Sequence, residues 1–472
     1  MEPWLLEAVA EEGSGLHAKV AEYGSPLNLI EPSVFTDNLR VFQTLGSRHL
    51  NQFSIYFARK ANKALSFVSA TMQEGAGLDV ASHEELDQAL GLGFPPGKII
   101  CTAAVKSQAL IQACVDRGVV IAIDSDDELQ KVEAASVDQK VEPAQVALRV
   151  GGFTVDGKKL FTRFGFEIDR VVDDVQSFGS LARWMSAGMQ IRGLHFHLDG
   201  YDYLQRAAAI HQSTQVIDEL RRLGHELEFV DMGGGFPVCY LEDESEWLGF
   251  LEQHRSALRG ERPPITHRNH SLGYHVEGEM VYGKPKLYPF YQESAKEGWL
   301  ERILREVAES LNERNLELRC EPGRALLDGA GATVARVEFV KHFEDGRNYI
   351  GLAMNRTQCR TSSEDFLLDP LLIRSRIVEE DYNELSGYLV GAYCTESELI
   401  LQRKIKFPKG VKAGDLLALP NTAGYFMHFL ESRSHQFPLA KNLLAGLGAL
   451  DPIDLESELL SSVSINDQVS YL

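Results

Sequence analysis

Cysteine is scarce in this sequence, and long apolar runs are missing. The 472 residues include six cysteines, and no two of them form a Cys-x-x-Cys pair. This argues against a disulfide scaffold or a cysteine-based zinc site, so we expect no metal and a reducing, cytoplasmic setting. No apolar run approaches the roughly 18 residues of a membrane span. The first residues are acidic and lack the basic start of a signal peptide.

Positive charge is also in short supply. The chain has 47 Lys and Arg residues against 68 Asp and Glu residues, a net charge of −21. An acidic surface repels phosphate backbones, so we expect no nucleic-acid partner. The hydrophobic fraction of 44% and charged fraction of 24% are ordinary for a globular protein. At about 100–200 residues per domain, the length leaves room for two or three domains.

Eight short apolar segments alternate with helical stretches and end in polar or glycine-containing turns. These predicted strands are Ile55–Ala58, Leu78–Ala81, Lys98–Cys101, Val119–Ile123, Val146–Val150, Ile191–His197, Glu226–Met232 and Leu316–Cys320. Eight strand-then-helix units predict an α/β fold, a (β/α)8 TIM barrel over residues 35–325. An open doubly wound sheet is the alternative, but the G-x-G-x-x-G sequence expected after its first strand is absent.

Two helix starts have the S-x-x-E form of a capping box. Ser82 and Glu85 predict a helix that runs to the region of Gly91. Ser294 and Glu297 predict a second helix, whose apolar stripe is formed by Trp299, Ile303, Val307 and Leu311.

The last two barrel strands are unusually far apart in the sequence. Gly235 and Glu321 are separated by 86 positions, about 50 more than one barrel unit needs. We therefore predict an insertion over about 240–297, which is too aromatic for disorder. Because long structured loops are usually functional, we expect the insertion to cover the active site and contact substrate or a partner subunit. A purely dimer-stabilising role is the alternative.

The remaining chain is predicted to form a C-terminal, mainly β domain over residues 326–472, ending in a tail from about residue 434. Its predicted strands are Thr333–Val340, Tyr349–Met354, Tyr388–Ala392, Leu399–Ile405 and Asp415–Leu419. Residues 1–34 form an N-terminal segment that we expect to pack partly on the β domain. Within it, Pro26–Ile30 is predicted to be extended and could belong to either domain.

Chemically active residues follow several of the predicted barrel strands. In a barrel, the carboxyl ends of the strands carry the active site. Lys60 follows the first strand, where desolvation can lower its pKa and allow a covalent bond to an aldehyde. The run Gly233–Gly235 follows the seventh strand and lets backbone N–H groups approach a phosphate. Glu321 and Arg324 follow the eighth, as partners for a protonated ring nitrogen and a phosphate. Each feature alone could be an ordinary surface group or turn, but together they suggest a pyridine aldehyde cofactor with a phosphate.

The order and spacing of seven short motifs resemble the fold-type-III pyridoxal-phosphate decarboxylases, the group with diaminopimelate and ornithine decarboxylases. The motifs are Tyr56–Asn62, Gly77–Ser82, Gly193–Gly200, Asp231–Phe236, Glu321–Arg324, Gly391–Glu398 and Gly414–Tyr425. The resemblance covers nearly the whole chain. It implies an alanine-racemase-type barrel with a β domain, and a homodimer whose subunits build each active site together.

The resemblance also implies roles for individual residues. Lys60 matches the lysine that bonds pyridoxal 5'-phosphate, His197 the histidine stacked on its ring, and Glu321 the acid facing its nitrogen. Cys394 matches the cysteine that crosses the dimer and returns a proton to the substrate carbon. The remaining matches, at the phosphate site or close to the cofactor, are Gly233, Gly234, Gly235, Arg324, Tyr425, Asp79 and Arg149.

Departures from the family pattern fall on the expected substrate side. The usual H-x-G-S motif is here His197-Leu198-Asp199-Gly200, so a small hydroxyl is gone and an acid has arrived. The acid that usually follows the cysteine, and that holds a distal amine, is replaced by Thr395. Glu396 is expected to substitute for it, displaced by one position, and Glu398 keeps the second acid. Ordinary solvated charge is the alternative for Asp199 and Glu396. Arg360 is one position late relative to the family's substrate arginine.

The resemblance implies decarboxylation of an amino acid, with a diamino acid such as diaminopimelate, lysine or ornithine as the expected substrate. Racemases of this fold place an arginine at the position of Glu321, so the acid favours decarboxylation. Two alternatives stay open: an amino-acid racemase or epimerase, and a catalytically silent binding or regulatory relative. Intact Lys60 and Cys394 argue against the silent relative.

Overall fold

The structure, a computed structural model, describes residues 2–10, 14–136, 142–361, 367–375 and 383–455. The α-helices of these residues are α1 (Pro3–Ala10), α2 (Ser14–Tyr23), α3 (Pro32–His49), α4 (Leu65–Gln73), α5 (His83–Gly91), α6 (Gln108–Arg117), α7 (Asp126–Ser136), α8 (Val171–Phe178), α9 (Leu181–Ser186), α10 (Tyr203–Arg222), α11 (Glu244–Leu258) and α12 (Lys296–Glu313). No helix of these ranges is long and apolar enough to cross a membrane.

The strands fall into two large sheets and two short hairpins. They are β1 (Leu27–Ile30), β2 (Phe53–Ala58), β3 (Gly77–Val80), β4 (Ile99–Cys101), β5 (Val120–Ile123), β6 (Ala144–Gly151), β7 (Thr154–Val155), β8 (Lys158–Lys159), β9 (Phe166–Glu167), β10 (Met189–His195), β11 (Phe229–Asp231), β12 (His275–Glu277), β13 (Met280–Tyr282), β14 (Glu317–Cys320), β15 (Gly331–His342), β16 (Asn348–Leu352), β17 (Leu371–Ile373), β18 (Leu385–Val390), β19 (Ile405–Phe407), β20 (Leu416–Pro420) and β21 (Lys441–Leu444).

Eight parallel strands close into a barrel, as predicted. The order around it is β2-β3-β4-β5-β6-β10-β11-β14, and β14 pairs with β2, where Cys320 lies opposite Ile55. The open doubly wound sheet is therefore wrong, because such a sheet leaves its two outer strands unpaired. All eight predicted strands are present, with small shifts at their ends. Closure brings the carboxyl ends of all eight strands to one mouth.

One predicted capping box is confirmed and the other is wrong. At α5, the Ser82 hydroxyl accepts from the N–H of Glu85, and the Glu85 carboxylate accepts from the N–H of Ala81. At α12, by contrast, the helix is capped by Ala295 without a side-chain hydrogen bond. The start of α12 is set instead by burial of its apolar stripe, which is confirmed at Trp299, Ile303, Val307 and Leu311.

The second large sheet forms the β domain. Strand β1, from the N-terminal segment, pairs with β15 and β21, so Pro26–Ile30 belongs to this sheet and not to the barrel. Strands β15, β16, β18 and β20 lie where strands were predicted. The predicted strand Leu399–Ile405 is wrong, because the regular strand in this part of the chain, β19, begins only at Ile405. Residues 434–455 of the predicted tail are described and include β21. Residues 456–472 of the tail lie outside the described ranges.

The predicted insertion has its own structure and is anchored on the β domain. It contains α11 and the β12–β13 hairpin. Thr266 forms an isolated β-bridge with Arg403, and the N–H of Lys404 donates to the carbonyl of Ile265. Leu272 and Phe290 are buried in the core of the β domain. The backbone of residues 399–404 is thus paired partly with the insertion, which explains why it forms no regular strand within the sheet.

Candidate active site

Lys60 and Asp79 form an ion pair at the barrel mouth. Lys60 lies in a short 3-10 turn that follows β2, and Asp79 lies in the neighbouring β3. The Lys60 Nζ is 2.6 Å from the Asp79 Oδ2, and the Asp79 Oδ1 accepts from the hydroxyl of Thr102. Asp79 is fully enclosed, whereas the Lys60 side chain keeps a third of its surface accessible. The arrangement holds a primary amine at the mouth with its position fixed.

The expected lowering of the Lys60 pKa is wrong for this arrangement. Burial does lower it, but the Asp79 and Glu321 carboxylates outweigh burial and raise the pKa above its ordinary value. Before it can attack a carbonyl, the amine must give up a proton. A compensating positive charge or the loss of a neighbouring negative charge would ease that step.

Glu321 is the second element of the site and lies directly after β14. It is buried, and its N–H donates to the carbonyl of Gly233, which fixes the backbone. Its carboxylate lies 3.4 Å from the Nε2 of His195, in β10. Burial raises the pKa of Glu321 to about 8, with a further contribution from Asp79. Burial lowers the pKa of His195 to about 4, so this imidazole is neutral at neutral pH.

The glycine run is tightly folded against its neighbours. Gly233 and Gly235 have φ values of 66° and 82°, in the left-handed region that favours glycine. At Gly234 the φ is ordinary, but an added Cβ would lie 2.7 Å from the carbonyl oxygen of Glu321. The Gly234 N–H donates to the Nδ1 of His197 at 3.2 Å. This bond fixes the imidazole ring with its Nδ1 as the acceptor. Burial holds the pKa of His197 well below its ordinary value.

Arg206 holds the loop that follows His197 and was not singled out from the sequence. From α10, its guanidinium donates to the carbonyls of Leu198 and Gly200 at 2.7 and 2.8 Å. Asp199 lies in this loop, is exposed, and accepts from the N–H of Gly200. Nothing in the sequence distinguishes Arg206 from a solvated arginine of an amphipathic helix; only its burial does.

Arg324 and Tyr425 meet near the glycine run. The Tyr425 N–H donates to the carbonyl of Ala61, which joins this tyrosine to the turn that carries Lys60. The Arg324 guanidinium donates to the Tyr240 hydroxyl at 3.1 Å and lies 4.5 Å from the centre of the Tyr288 ring and 5.5 Å from that of Tyr425. Tyr240 and Tyr288 belong to the insertion. The insertion therefore contacts the arginine of the predicted phosphate site.

Arg149 lies in β6 at the same mouth. It is buried, with its guanidinium 4.0 Å from the centre of the Phe164 ring and its Nε 3.6 Å from an Asp124 oxygen. Burial lowers its pKa, against the pull of Asp124 and Glu321. The β domain contributes Tyr425 to this mouth through its bond to Ala61. The barrel strands and the turns after them carry the other residues, Lys60, Asp79, Arg149, His197, Gly233, Gly234, Gly235, Glu321 and Arg324.

The Cys394 loop lies on the β domain. Cys394 is exposed, and among the described residues no hydrogen bond or ion pair joins residues 391–398 to Lys60, Glu321 or His197. Glu396 is exposed and pairs at 2.7 Å with Arg268 of the insertion.

Glu398 and Arg360 are buried beside the Cys394 loop. Glu398 is buried, accepts from the Arg356 N–H at 2.8 Å and lies 3.7 Å from the Arg356 guanidinium. Arg360 is also buried, and its guanidinium donates to the carbonyl of Leu399 at 3.1 Å. Within this chain both side chains therefore contact the loop backbone, and their contact with substrate stays a prediction.

These residues fit a phosphorylated pyridine aldehyde. An ionised carboxylate offers about four acceptor sites, and one oxygen of buried Glu321 has no hydrogen-bond partner among the described residues, so the carboxylate has capacity for more than one donor. The space beside Gly234 is one that a single Cβ would fill. An amine, a glycine run, an arginine and a tyrosine hydroxyl provide a covalent anchor and donors for a phosphate.

Comparisons with known proteins agree with this geometry. Residues 39–262 match the family model described as "Pyridoxal-dependent decarboxylase, pyridoxal binding domain". The protein y4yA of Sinorhizobium fredii, which carries the name "Uncharacterized protein", is 31% identical over 430 residues, covering 89% of this chain and 87% of that one. The diaminopimelate decarboxylase of Zymomonas mobilis is 25% identical over 423 residues, covering 86% of this chain and 84% of its own.

Solved structures share the fold. The diaminopimelate decarboxylase of Helicobacter pylori, complexed with L-lysine, has a TM-score of 0.67 at 18% identity, covering 92% of this chain and 98% of its own. The arginine decarboxylase of Paramecium bursaria Chlorella virus, bound to agmatine, has a TM-score of 0.66 at 16% identity, covering 92% and 99%. The barrel, its mouth residues and these matches together establish that the chain belongs to the fold-type-III pyridoxal-phosphate-dependent decarboxylases.

Proposed function

We propose that this chain decarboxylates an amino acid whose distal end carries both an amine and a carboxylate, as in diaminopimelate. The reaction class, pyridoxal-phosphate-dependent amino-acid decarboxylation, is that of its family. The observation that carries the finer proposal is the Arg268–Glu396 pair beside Cys394. The relatives named diaminopimelate decarboxylase support it as well.

At the barrel mouth, Lys60 anchors the cofactor, and Arg324, Tyr425 and the glycine run hold its phosphate. When bound, the cofactor acts as an electron sink for the carbanion left by loss of carbon dioxide. Glu321 keeps the ring nitrogen protonated, which sustains that sink. His197 is held by the Gly234 N–H and orients the ring. Asp79 fixes the amine of Lys60 and keeps its charge balanced.

The proton donor acts between subunits in this proposal. Cys394 is exposed and is not hydrogen-bonded to its own barrel mouth in the described residues. We therefore place it over the active site of a second copy, where its thiol returns a proton to the substrate carbon. A homodimer with shared sites follows. Mixing inactive Lys60→Ala and Cys394→Ala variants should then restore activity, since hybrid dimers contain one intact site.

The distal end of the substrate is bound by Glu396, close to Cys394, and by Arg268 of the insertion. Glu396 can accept a distal ammonium, and Arg268 can hold a carboxylate in a bidentate contact. A substrate with only a distal amine, such as lysine or ornithine, would satisfy Glu396 but leave Arg268 in competition for it. This charge arrangement favours a distal amino-carboxylate over a simple diamine.

Carbon dioxide release from diaminopimelate, lysine, ornithine and arginine, in L- and D-forms, tests the proposal. We expect diaminopimelate to react fastest. Arg268→Ala should lose activity on diaminopimelate by roughly tenfold or more, the scale of one charge-assisted contact, and should keep or raise activity on lysine and ornithine, because Arg268 no longer competes with their distal amine for Glu396. Arg262→Ala, at an exposed position of the insertion, is the matched control. Equal effects on all substrates would contradict the role of Arg268, and racemisation without carbon dioxide would favour the racemase alternative.

Deleting residues 266–292 is not a clean test of the insertion. Leu272 and Phe290 belong to the core of the β domain. Their loss would unfold part of that core, whatever the insertion does for the substrate. The point variant at Arg268 separates the two roles.

A further inference from the structure

Behind the cofactor-facing side of Glu321 lies a buried cluster with two carboxyl groups. Asp231 ends β11, His195 ends β10 and Glu321 follows β14, so three neighbouring strands bring them together. All three are at most 2% exposed, and one ligand-type atom of each lies within 4.8 Å of the others. In the sequence, Asp231 opens the motif Asp231–Phe236 two positions before the glycine run, and nothing there assigns it a role of its own.

The hydrogen bonds of this cluster leave specific atoms open. The Asp231 Oδ1 accepts from the N–H of Gly233 at 2.9 Å. The Asp231 Oδ2 and the Glu321 Oε1 have no partner among the described residues. Two buried carboxylates cannot both be ionised at such a separation without a large cost. One proton shared between these two open oxygens removes that cost and satisfies both of them.

Burial raises the pKa of both Glu321 and Asp231 to about 8, so the neighbouring charges decide which of the two carboxyls holds the proton. The positive charges of Lys60 and Arg149 both favour Glu321 as the anion. Burial and the charge of Glu321 raise the pKa of Asp231 to about 8, against weaker pulls from His195 and Arg319. The other titratable groups facing the pair are Tyr56 and Cys320 on adjoining strands and Asp79 at the mouth. None of these supplies a positive charge to Asp231.

We propose that Asp231 is a positioning residue that works as a neutral carboxylic acid, donating its proton to Glu321 and so keeping Glu321 the anion that faces the cofactor's ring nitrogen. His195 stays neutral beside them and adds a second contact to Glu321 at 3.4 Å. The proton is thus carried by Asp231, which is separated from the cofactor by Glu321. This rests on the proposed role of Glu321 but not on the identity of the substrate.

Asp231→Asn tests the proposal, because an amide reproduces a neutral acid. Its oxygen can still accept from Gly233, and its NH2 group can donate to Glu321 in place of the carboxyl proton. We expect Asp231→Asn to bind pyridoxal phosphate within about threefold of the unmodified protein, and Asp231→Leu, which lacks the donor, to bind at least tenfold more weakly. Asp87→Asn, an exposed position on α5, is the matched control.

The pH dependence provides a readout that a purely structural role would not move. In the unmodified protein, cofactor affinity and the visible absorbance of the bound cofactor should change as pH rises through about 8, when Asp231 loses its proton. That transition should be missing in Asp231→Asn. If Asp231→Asn binds the cofactor as poorly as Asp231→Leu, or keeps the transition, the proposal is overturned.

Should Asp231→Asn fail to fold, infrared spectroscopy of the unmodified holoenzyme decides. A protonated buried carboxyl that disappears above pH 8 and persists in Glu321→Gln belongs to Asp231 and supports the proposal, whereas a signal that is absent, or that is lost in Glu321→Gln, refutes it. These measurements use the cofactor alone. A failure to find a decarboxylated substrate would therefore overturn the proposed function without affecting this result.

Discussion

The space beside Gly234 offers the sharpest test of the cofactor site. Gly234 has an ordinary φ, so Gly234→Ala adds no backbone strain of its own. Its Cβ, however, would lie 2.7 Å from the backbone oxygen of Glu321 and 3.5 Å from the Cε1 of His197. Because the nearest atom is backbone, it cannot swing away as the tip of a side chain would. Relief requires a shift of the glycine run or of the segment after β14.

The cost can be estimated from overpacking in other proteins. An added methyl group in a close-packed site costs about 1–3 kcal/mol. If the site relaxes by moving the glycine run from the position that binds the phosphate, about 1.4 kcal/mol of that cost becomes a tenfold weaker affinity for pyridoxal phosphate. We therefore expect the dissociation constant to rise by about tenfold or more, with the barrel still folded.

Absorbance titration with pyridoxal phosphate measures that affinity, and circular dichroism confirms the fold. Gly249→Ala is the control, since this glycine lies inside α11 and an added Cβ meets nothing within 4 Å. That variant should bind the cofactor normally and gain up to about 1 kcal/mol in stability, as glycine is a poor helix former. Unchanged affinity in Gly234→Ala would refute the assignment of this run to the phosphate.

Two further predictions concern Asp79 and Ser82. Asp79→Asn removes the carboxylate that most raises the pKa of Lys60, so the pKa of Lys60 should fall. Covalent capture of the cofactor, followed by absorbance as a function of pH, should then begin at lower pH than in the unmodified protein. An unshifted profile would contradict this. Ser82→Ala removes the cap of α5 and should cost about 1 kcal/mol of unfolding free energy in chemical denaturation, whereas Ser294→Ala should cost little, because α12 has no side-chain cap.

Patterns local to the sequence predicted the barrel well. Strands buried on both faces are continuous apolar runs, so Val119–Ile123 and Val146–Val150 could be identified without tertiary information. The capping box at Ser82 is equally local. The strand predicted at Leu399–Ile405 was wrong because apolar residues such as Ile400 and Leu401 are buried in the core of the β domain without forming a regular strand, while the backbone of residues 402–404 pairs with the insertion, whose position no local pattern encodes. The Ser294 box failed because burial of Trp299 and its stripe sets the helix start more strongly than the cap.

The sequence by itself determined which residue types follow which strands, and barrel topology then places Lys60, Glu321 and the glycine run at one mouth. It could not determine protonation, because a pKa depends on neighbours that are distant in the chain. Asp79 reverses the expected shift at Lys60, and Asp231 meets Glu321 from 90 positions away only because β11 and β14 are paired. Nor could it show that Glu398 and Arg360 contact the backbone of the Cys394 loop and its neighbours, while Arg268 of the insertion pairs with Glu396. Those outcomes depend on burial and charge, which only the tertiary structure sets.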